Sequence, residues 1–146
     1  MNIAVVNGPN LNLLGRREPV LYGKETLEDI ERRLSAVADE LGISIEFSQF
    51  NGEGELVDQI QQLRGRADGI LLNAAAYAHT SLAIRDALVA VGTPYVEVHL
   101  TNIYAREPMR RRTVLARDAL ATITGFGAYG YELALRGLVR KLRDRV

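Results

Sequence analysis

This 146-residue chain has few side chains whose ordinary pKa lies near neutral pH. It has two histidines, His79 and His99, and no cysteine. Glu97 stands two residues before His99, so on an extended strand both side chains point to one face. A carboxylate beside an imidazole fixes the ring's tautomer and favours its protonated form, which suits a general acid. A stretch of odd composition (residues 7–23) holds two adjacent arginines, Arg16 and Arg17, and Tyr22, whose phenol becomes a base only if its pKa is lowered. A phenol is almost wholly protonated at neutral pH, and burial disfavours phenolate further, so a tyrosine base needs a cation beside it. Arginine supplies that charge even when partly buried, which lysine does not reliably do. Each of these features also has a plain structural reading: a solvated surface loop for residues 7–23, and a surface ion pair for Glu97 and His99.

The elements that must position these residues alternate. Residues 2–6 read as a first strand. Leu27, Ile30, Leu34, Val37, Ala38 and Leu41 recur at helical spacing, with Thr26 as N-cap, Asp29 as its capping-box partner and Gly42 as the stop. Residues 43–47 alternate as a half-buried strand does. A second helix presents Leu56, Ile60 and Leu63 on one face, and residues 69–73 form a short apolar strand of the kind buried on both sides. After a loop at 74–80, Thr80 is the predicted N-cap of a helix over 81–91. Gly92 and Pro94 break that helix. A fourth strand spans 95–100, a long polar connection 101–117, a fifth strand 119–124 and a closing helix 129–145.

Strand–helix alternation at this spacing predicts one α/β domain over residues 1–146. Its expected core is a doubly wound, flavodoxin-like sheet of about five parallel strands with helices on both faces. Ligands of such sheets bind beyond the carboxyl ends of the strands. Those ends deliver Asn7 and the long loop, Asn73 and then His79, and Glu97, His99, Leu100 and Thr101 followed by Arg106 and Arg110. Both histidines therefore fall at the expected ligand edge. The loop over 7–23 is far longer than the about 2–6 residues an α/β unit needs, and such loops are usually functional.

Composition narrows the classes. Eighteen Lys and Arg balance eighteen Asp and Glu, so nothing points to a polyanion such as nucleic acid. No apolar run approaches the roughly 20 residues of a membrane span, and the N-terminus enters a strand without a signal segment. A cytoplasmic location is expected. Absence of cysteine excludes disulfides, thiolate metal sites and a cysteine nucleophile.

Three segments carry a family resemblance. Asn7-Gly8-Pro9-Asn10-Leu11-Asn12-Leu13-Leu14-Gly15-Arg16-Arg17-Glu18-Pro19 with Tyr22-Gly23 resembles the opening signature of the type II 3-dehydroquinate dehydratases. Asn73 to Asp86 resembles the second signature, with Ala74-Ala75 where the family more usually has Pro-Gly. Glu97-Val98-His99-Leu100-Thr101-Asn102 with Ala105-Arg106-Glu107 resembles the third. There the family commonly has an aromatic at 109 and His-Ser at 112–113, where this chain has Met109, Arg112 and Thr113.

The resemblance implies dehydration of 3-dehydroquinate to 3-dehydroshikimate in the shikimate pathway of aromatic amino-acid biosynthesis, through an enolate and without metal or cofactor. It implies Tyr22 as base, Arg17 as its electrostatic activator, His99 as acid supported by Glu97, and Asn10 where enolate charge develops. Asn73, His79 and Arg110 would bind substrate hydroxyls, and backbone N–H groups of Leu100 and Thr101 the substrate carboxylate. Asp86 would approach the site of a neighbouring subunit in a homododecamer built from trimers.

Gly125-x-Gly127-x-x-Gly130 matches a dinucleotide fingerprint, but it sits on the last strand with no later strand for the ribose-binding acid; close helix–sheet packing explains it. Arg110-Arg111-Arg112 is too short for a nucleic-acid patch. His79, His99 and Glu97 have no spacing that sets up a tetrahedral metal site. A non-catalytic flavodoxin-like module binding FMN or another anion is the rival from a different class; it has no need of an acid and a base together. A Schiff-base lyase needs a lysine at a strand end, and the two lysines are Lys24 in the loop and Lys141 in the last helix.

Overall fold

Strand follows helix along the chain as the apolar periodicity predicts, with two extra turns inside the first loop. The computed structural model describes residues 1–16 and 18–145. Its strands are β1 (Asn2–Asn7), β2 (Ser44–Gln49), β3 (Gly69–Asn73), β4 (Tyr95–His99) and β5 (Ala121–Thr124). Its helices are α1 (Pro19–Tyr22), α2 (Leu27–Leu41), α3 (Glu53–Gln62), α4 (Leu82–Val91) and α5 (Tyr129–Arg143). The strands pair in the order β2-β1-β3-β4-β5, every pair parallel. The order changes direction between β1 and β3, and such a switch point opens a crevice at the carboxyl ends of the strands.

Two apolar layers hold the sheet. Ile3, Val5, Leu71, Val96 and Val98 pack with α2 and α5 on one face. Ala4, Val6, Ile70, Leu72 and Tyr95 pack with α3 and α4 on the other. Covered on both sides, β3 and β4 are buried at every residue, whereas the edge strand β2 is only half-buried. At the start of α2 the Asp29 N–H donates to Thr26 Oγ1 at 3.2 Å, and the Thr26 N–H donates to Asp29 Oδ2 at 2.9 Å, closing the expected capping box. The glycine motif before α5 packs closely: a Cβ on Gly130 would stand 3.2 Å from Ile123 Cγ2.

The structure corrects several expected boundaries. Helix α4 is capped by Ser81, whose Oγ accepts from the Ile84 N–H at 3.0 Å. Thr80 instead ends a 3-10 turn over Ala75–His79, and its backbone (φ −135°, ψ −27°) is not extended as a cap requires. Strand β5 begins at Ala121 because residues 116–118 form another short turn. Helix α5 stops at Arg143. Within the long first loop, residues 11–13 form a 3-10 turn and Pro19, suited to a first helical position, starts the one-turn helix α1.

Candidate active site

The side chains of β4 alternate across the sheet. Val96 and Val98 face α2 and α5, which leaves Glu97 and His99 on the opposite face. Glu97 is fully buried and His99 nearly so. His99 Nε2 donates to Glu97 Oε1 at 2.6 Å. The Thr113 hydroxyl donates to the same oxygen at 2.7 Å and accepts from the Leu115 N–H at 3.0 Å. Because its oxygen takes the amide proton, the hydroxyl proton is committed to Glu97. A carboxylate this buried is costly without such donors. Thr113, at a position where the chain departs from the family pattern, therefore still supplies a hydroxyl to the acid pair.

The segment carrying Thr113 is tied down at several points. The Tyr95 hydroxyl donates to the Leu115 carbonyl, the Val114 N–H donates to Ala78 O at 2.8 Å, and His79 Nδ1 donates to Arg112 O at 2.8 Å. That bond puts the His79 proton on Nδ1, so a neutral His79 presents Nε2 as an acceptor. The His79 and His99 rings stack, centroids 5.9 Å apart. With Nε2 turned to Glu97, His99 has Nδ1 left for a ligand. Burial and the nearby Asp118 and Glu97 push the Tyr95 phenol up, so it stays protonated and donating.

A cleft of about 190 Å3 opens over this edge. Its lining brings together Asn10, Tyr22, Asn73, His79, His99, Leu100, Thr101, Arg106 and Arg110. Glu97 sits behind His99, outside the lining. Asp86 is on the exposed side of α4 and does not reach this chain's cleft. Arg17 lies outside the described residues. The turn after β4 is held from the last strand: Gly127 N–H donates to Leu100 O at 2.9 Å and Thr124 Oγ1 to Thr101 O at 2.7 Å. Gly125 and Gly127 have φ of 96° and 60°, which glycine adopts without strain.

On the loop side Tyr22 is half-buried against the α2–α5 layer. Arg106 Nη1 donates to the Tyr22 hydroxyl at 3.2 Å, and its guanidinium carbon lies 5.5 Å from the ring centroid. Arg106 also reaches Thr101 Oγ1 at 3.5 Å. Sequence reasoning placed Arg106 at the ligand edge without a role. Its contact with a residue 84 positions away is a tertiary event, although the third motif quotes it. Arg110 Nε donates to Glu107 Oε1 at 2.5 Å. Asn10 sits in the left-handed region (φ 68°), its N–H bonded to Asn51 Oδ1 at 3.1 Å.

This arrangement offers a proton donor with a buried counter-charge and a phenol under a guanidinium, across a small polar cleft. Among the described residues no three His, Asp or Glu side chains are grouped to hold a metal ion. A larger groove of about 380 Å3 between β5 and α5 is lined mainly by aliphatic side chains and has no such acid and base.

A family model described as dehydroquinase class II matches residues 1–139. The 3-dehydroquinate dehydratase of Prochlorococcus marinus (strain NATL1A) is 54% identical over 143 residues, covering 98% of this chain and 99% of that protein. That of Gemmatimonas aurantiaca is 55% identical over 142 residues, covering 97% and 93%. The crystal structure of the type II dehydroquinase from Butyrivibrio crossotus superposes with a TM-score of 0.92 at 40% identity, over 94% of this chain and 97% of that one. A 3-dehydroquinate dehydratase-like protein from Bifidobacterium longum is more distant, with a TM-score of 0.70 at 29% identity over 99% and 98%.

Proposed function

We infer the chemistry of the cleft from the premise that the chain belongs to the dehydroquinase class II family, and is thus a lyase dehydrating 3-dehydroquinate to 3-dehydroshikimate. Tyr22, as phenolate, takes a proton from the carbon next to the substrate ketone, leaving an enolate. As the enolate collapses, the carbon–oxygen bond to the departing hydroxyl breaks and His99 Nδ1 gives that oxygen a proton, so water leaves. The enzyme resets when the proton gained by Tyr22 is exchanged for the one lost by His99.

The residues around this pair fit the two roles. The imidazolium form of His99 is opposed by Glu97, whose acceptor oxygen is held by Thr113. The guanidinium of Arg106 donates to the Tyr22 hydroxyl oxygen, the atom that must carry the charge of the base, and Arg17 is a second cation for the same task. Asn10 stands where oxygen charge develops. Asn73, His79 through Nε2, and Arg110 take substrate hydroxyls, while the backbone of Leu100 and Thr101 takes the carboxylate. One observation carries this reading: a single cleft is lined by both Tyr22 and His99, each with its own charge partner. The rival anion-binding module gives no account of that pair.

Assembly is part of the proposal. Leu82 and Val89 of α4 are 60% and 55% exposed, and Asp86 lies between them at helical spacing. We place this face against a neighbouring subunit of a homododecamer built from trimers, with Asp86 approaching the neighbour's site.

Incubating the purified protein with 3-dehydroquinate should raise the ultraviolet absorbance of the conjugated enone. The rate should be the same after exhaustive chelation, with no added cofactor and after borohydride treatment in the presence of substrate. Absorbance that rises only with an added divalent ion, or not at all, overturns the reading. Asp86→Ala should lower the mass seen by light scattering and raise KM together; both unchanged would remove Asp86 from the interface.

A further inference from the structure

Asn7 and Asn73 are register partners on the adjacent parallel strands β1 and β3. They follow Ile3 and Val5, and Leu71, at intervals of two, so both side chains face α2 and α5. Asn7 is fully buried and Asn73 nearly so. Between them stands the phenol of Tyr131, in the first turn of α5 and fully buried. Asn73 Nδ2 donates to the Tyr131 hydroxyl at 2.9 Å, and that hydroxyl donates to Asn7 Oδ1 at 2.6 Å.

The direction of this chain is set at its cleft end. The Ala75 N–H donates to Asn73 Oδ1 at 3.1 Å. Were the Asn73 amide turned over, two donors would face each other. With Oδ1 held by Ala75, Nδ2 must face Tyr131, whose oxygen accepts and whose proton then goes to Asn7. Burial pushes the Tyr131 phenol above its ordinary range, so it remains a hydroxyl with a proton to donate. An asparagine amide has two N–H groups and two carbonyl lone pairs. One of each is used inside the protein, so the cleft meets one donor and one acceptor in a fixed arrangement. The glycine motif is what permits this, because Gly130 lets α5 approach the sheet closely enough for Tyr131 to reach both strand ends.

We propose that Tyr131 is a positioning residue for substrate binding: by bridging Asn7 and Asn73 it locks the amide of Asn73 in the orientation that receives a hydroxyl of the substrate. The inference rests on the reading of Asn73 as a substrate-binding residue. Tyr131 itself lies outside the cleft lining and acts through Asn73.

The test is a double-mutant cycle on KM and kcat for 3-dehydroquinate with Tyr131→Phe, Asn73→Ala and the pair. Phenylalanine keeps the ring and removes the hydroxyl. Loss of one oriented hydrogen bond predicts a KM about fivefold higher, with kcat within about twofold and the circular dichroism spectrum unchanged. In the Asn73→Ala background Tyr131→Phe should add nothing to KM. If Tyr131→Phe fails to fold, Asn7→Ala carries the test: it leaves Tyr131 in place, removes its acceptor, and should raise KM in the same direction. An unchanged KM in Asn73→Ala overturns both the reading of Asn73 and the inference. A raised KM in Asn73→Ala, with Tyr131→Phe either silent or fully additive, overturns the inference alone.

Discussion

The two walls of the cleft are built differently. The wall at the ends of β3 and β4 is set in buried structure: Asn73, Glu97 and His99 have at most 6% of their surface exposed. Each of them has hydrogen-bond partners at 3.1 Å or less inside the protein. The loop wall carries a half-buried Tyr22 on a one-turn helix between Gly15 and Gly23, whose φ values are 83° and 86°. The difference matches the two proposed tasks. An acid that must hold an imidazolium beside a carboxylate needs a fixed, dry setting, where the charge pair is strong and reorganises little. A base that must first admit the substrate is better carried on a loop that closes over it.

The largest expected effect is on the loop wall. Tyr22→Phe should lower kcat by about 10²–10⁴, the usual share of a general base, with the fold and ligand binding largely intact. A variant that kept a tenth of its rate would place the base elsewhere. Arg17→Ala should also lower turnover, leaving the Arg106 guanidinium on the Tyr22 hydroxyl.

On the strand wall the sharpest probe is Thr113. Thr113→Val keeps the shape and removes the donor to Glu97, and should lower kcat about tenfold by the loss of a hydrogen bond to a charged group. Thr113→Ser should restore the rate. Equal rates for the valine and serine variants would mean that the hydroxyl plays no part.

A smaller effect separates the walls by mobility. Trypsin should cut after Arg16 or Arg17 before it cuts after Arg106 or Arg110, which follow β4, and a substrate analogue should slow the loop cut. Cleavage unaffected by the analogue would contradict a closing loop.

The smallest concerns Ala75, which stands at φ 52° where the family more usually has glycine. A non-glycine residue in the left-handed region costs about 1–2 kcal/mol. Glycine returns about 0.4–1 kcal/mol of that through the greater freedom of the unfolded chain. Ala75→Gly should therefore raise the melting temperature by no more than about 6 °C. A lower melting temperature would show that the packing of the Ala75 methyl outweighs the strain.

The same contrast explains what could be read from sequence. Period-two and helical patterns made the strands and main helices legible, and listing strand ends led to Asn73, His79, His99 and the turn after β4. The Thr26–Asp29 capping box is local and was equally visible. Thr80 and Ser81 both suit the cap of α4 by residue type; the backbone angles decide for Ser81, and these depend on the turn before it. Arg106 on Tyr22, Thr113 on Glu97 and Tyr131 between Asn7 and Asn73 join residues 84, 16, 58 and 124 positions apart. No periodicity encodes such pairs. Tyr131 did have one local marker, the glycine motif that brings α5 close to the sheet.

The division of labour between the walls is tested most directly by hydrogen exchange at the carbon next to the ketone. With 3-dehydroquinate in deuterium oxide, proton resonance would follow exchange in the wild-type, His99→Ala and Tyr22→Phe proteins. His99→Ala should still exchange the hydrogen while forming almost no product, because the enolate is made and the hydroxyl cannot leave. Tyr22→Phe should neither exchange nor dehydrate. Exchange retained in Tyr22→Phe, or lost in His99→Ala to the same degree as turnover, would contradict a tyrosine base on one wall and a histidine acid on the other.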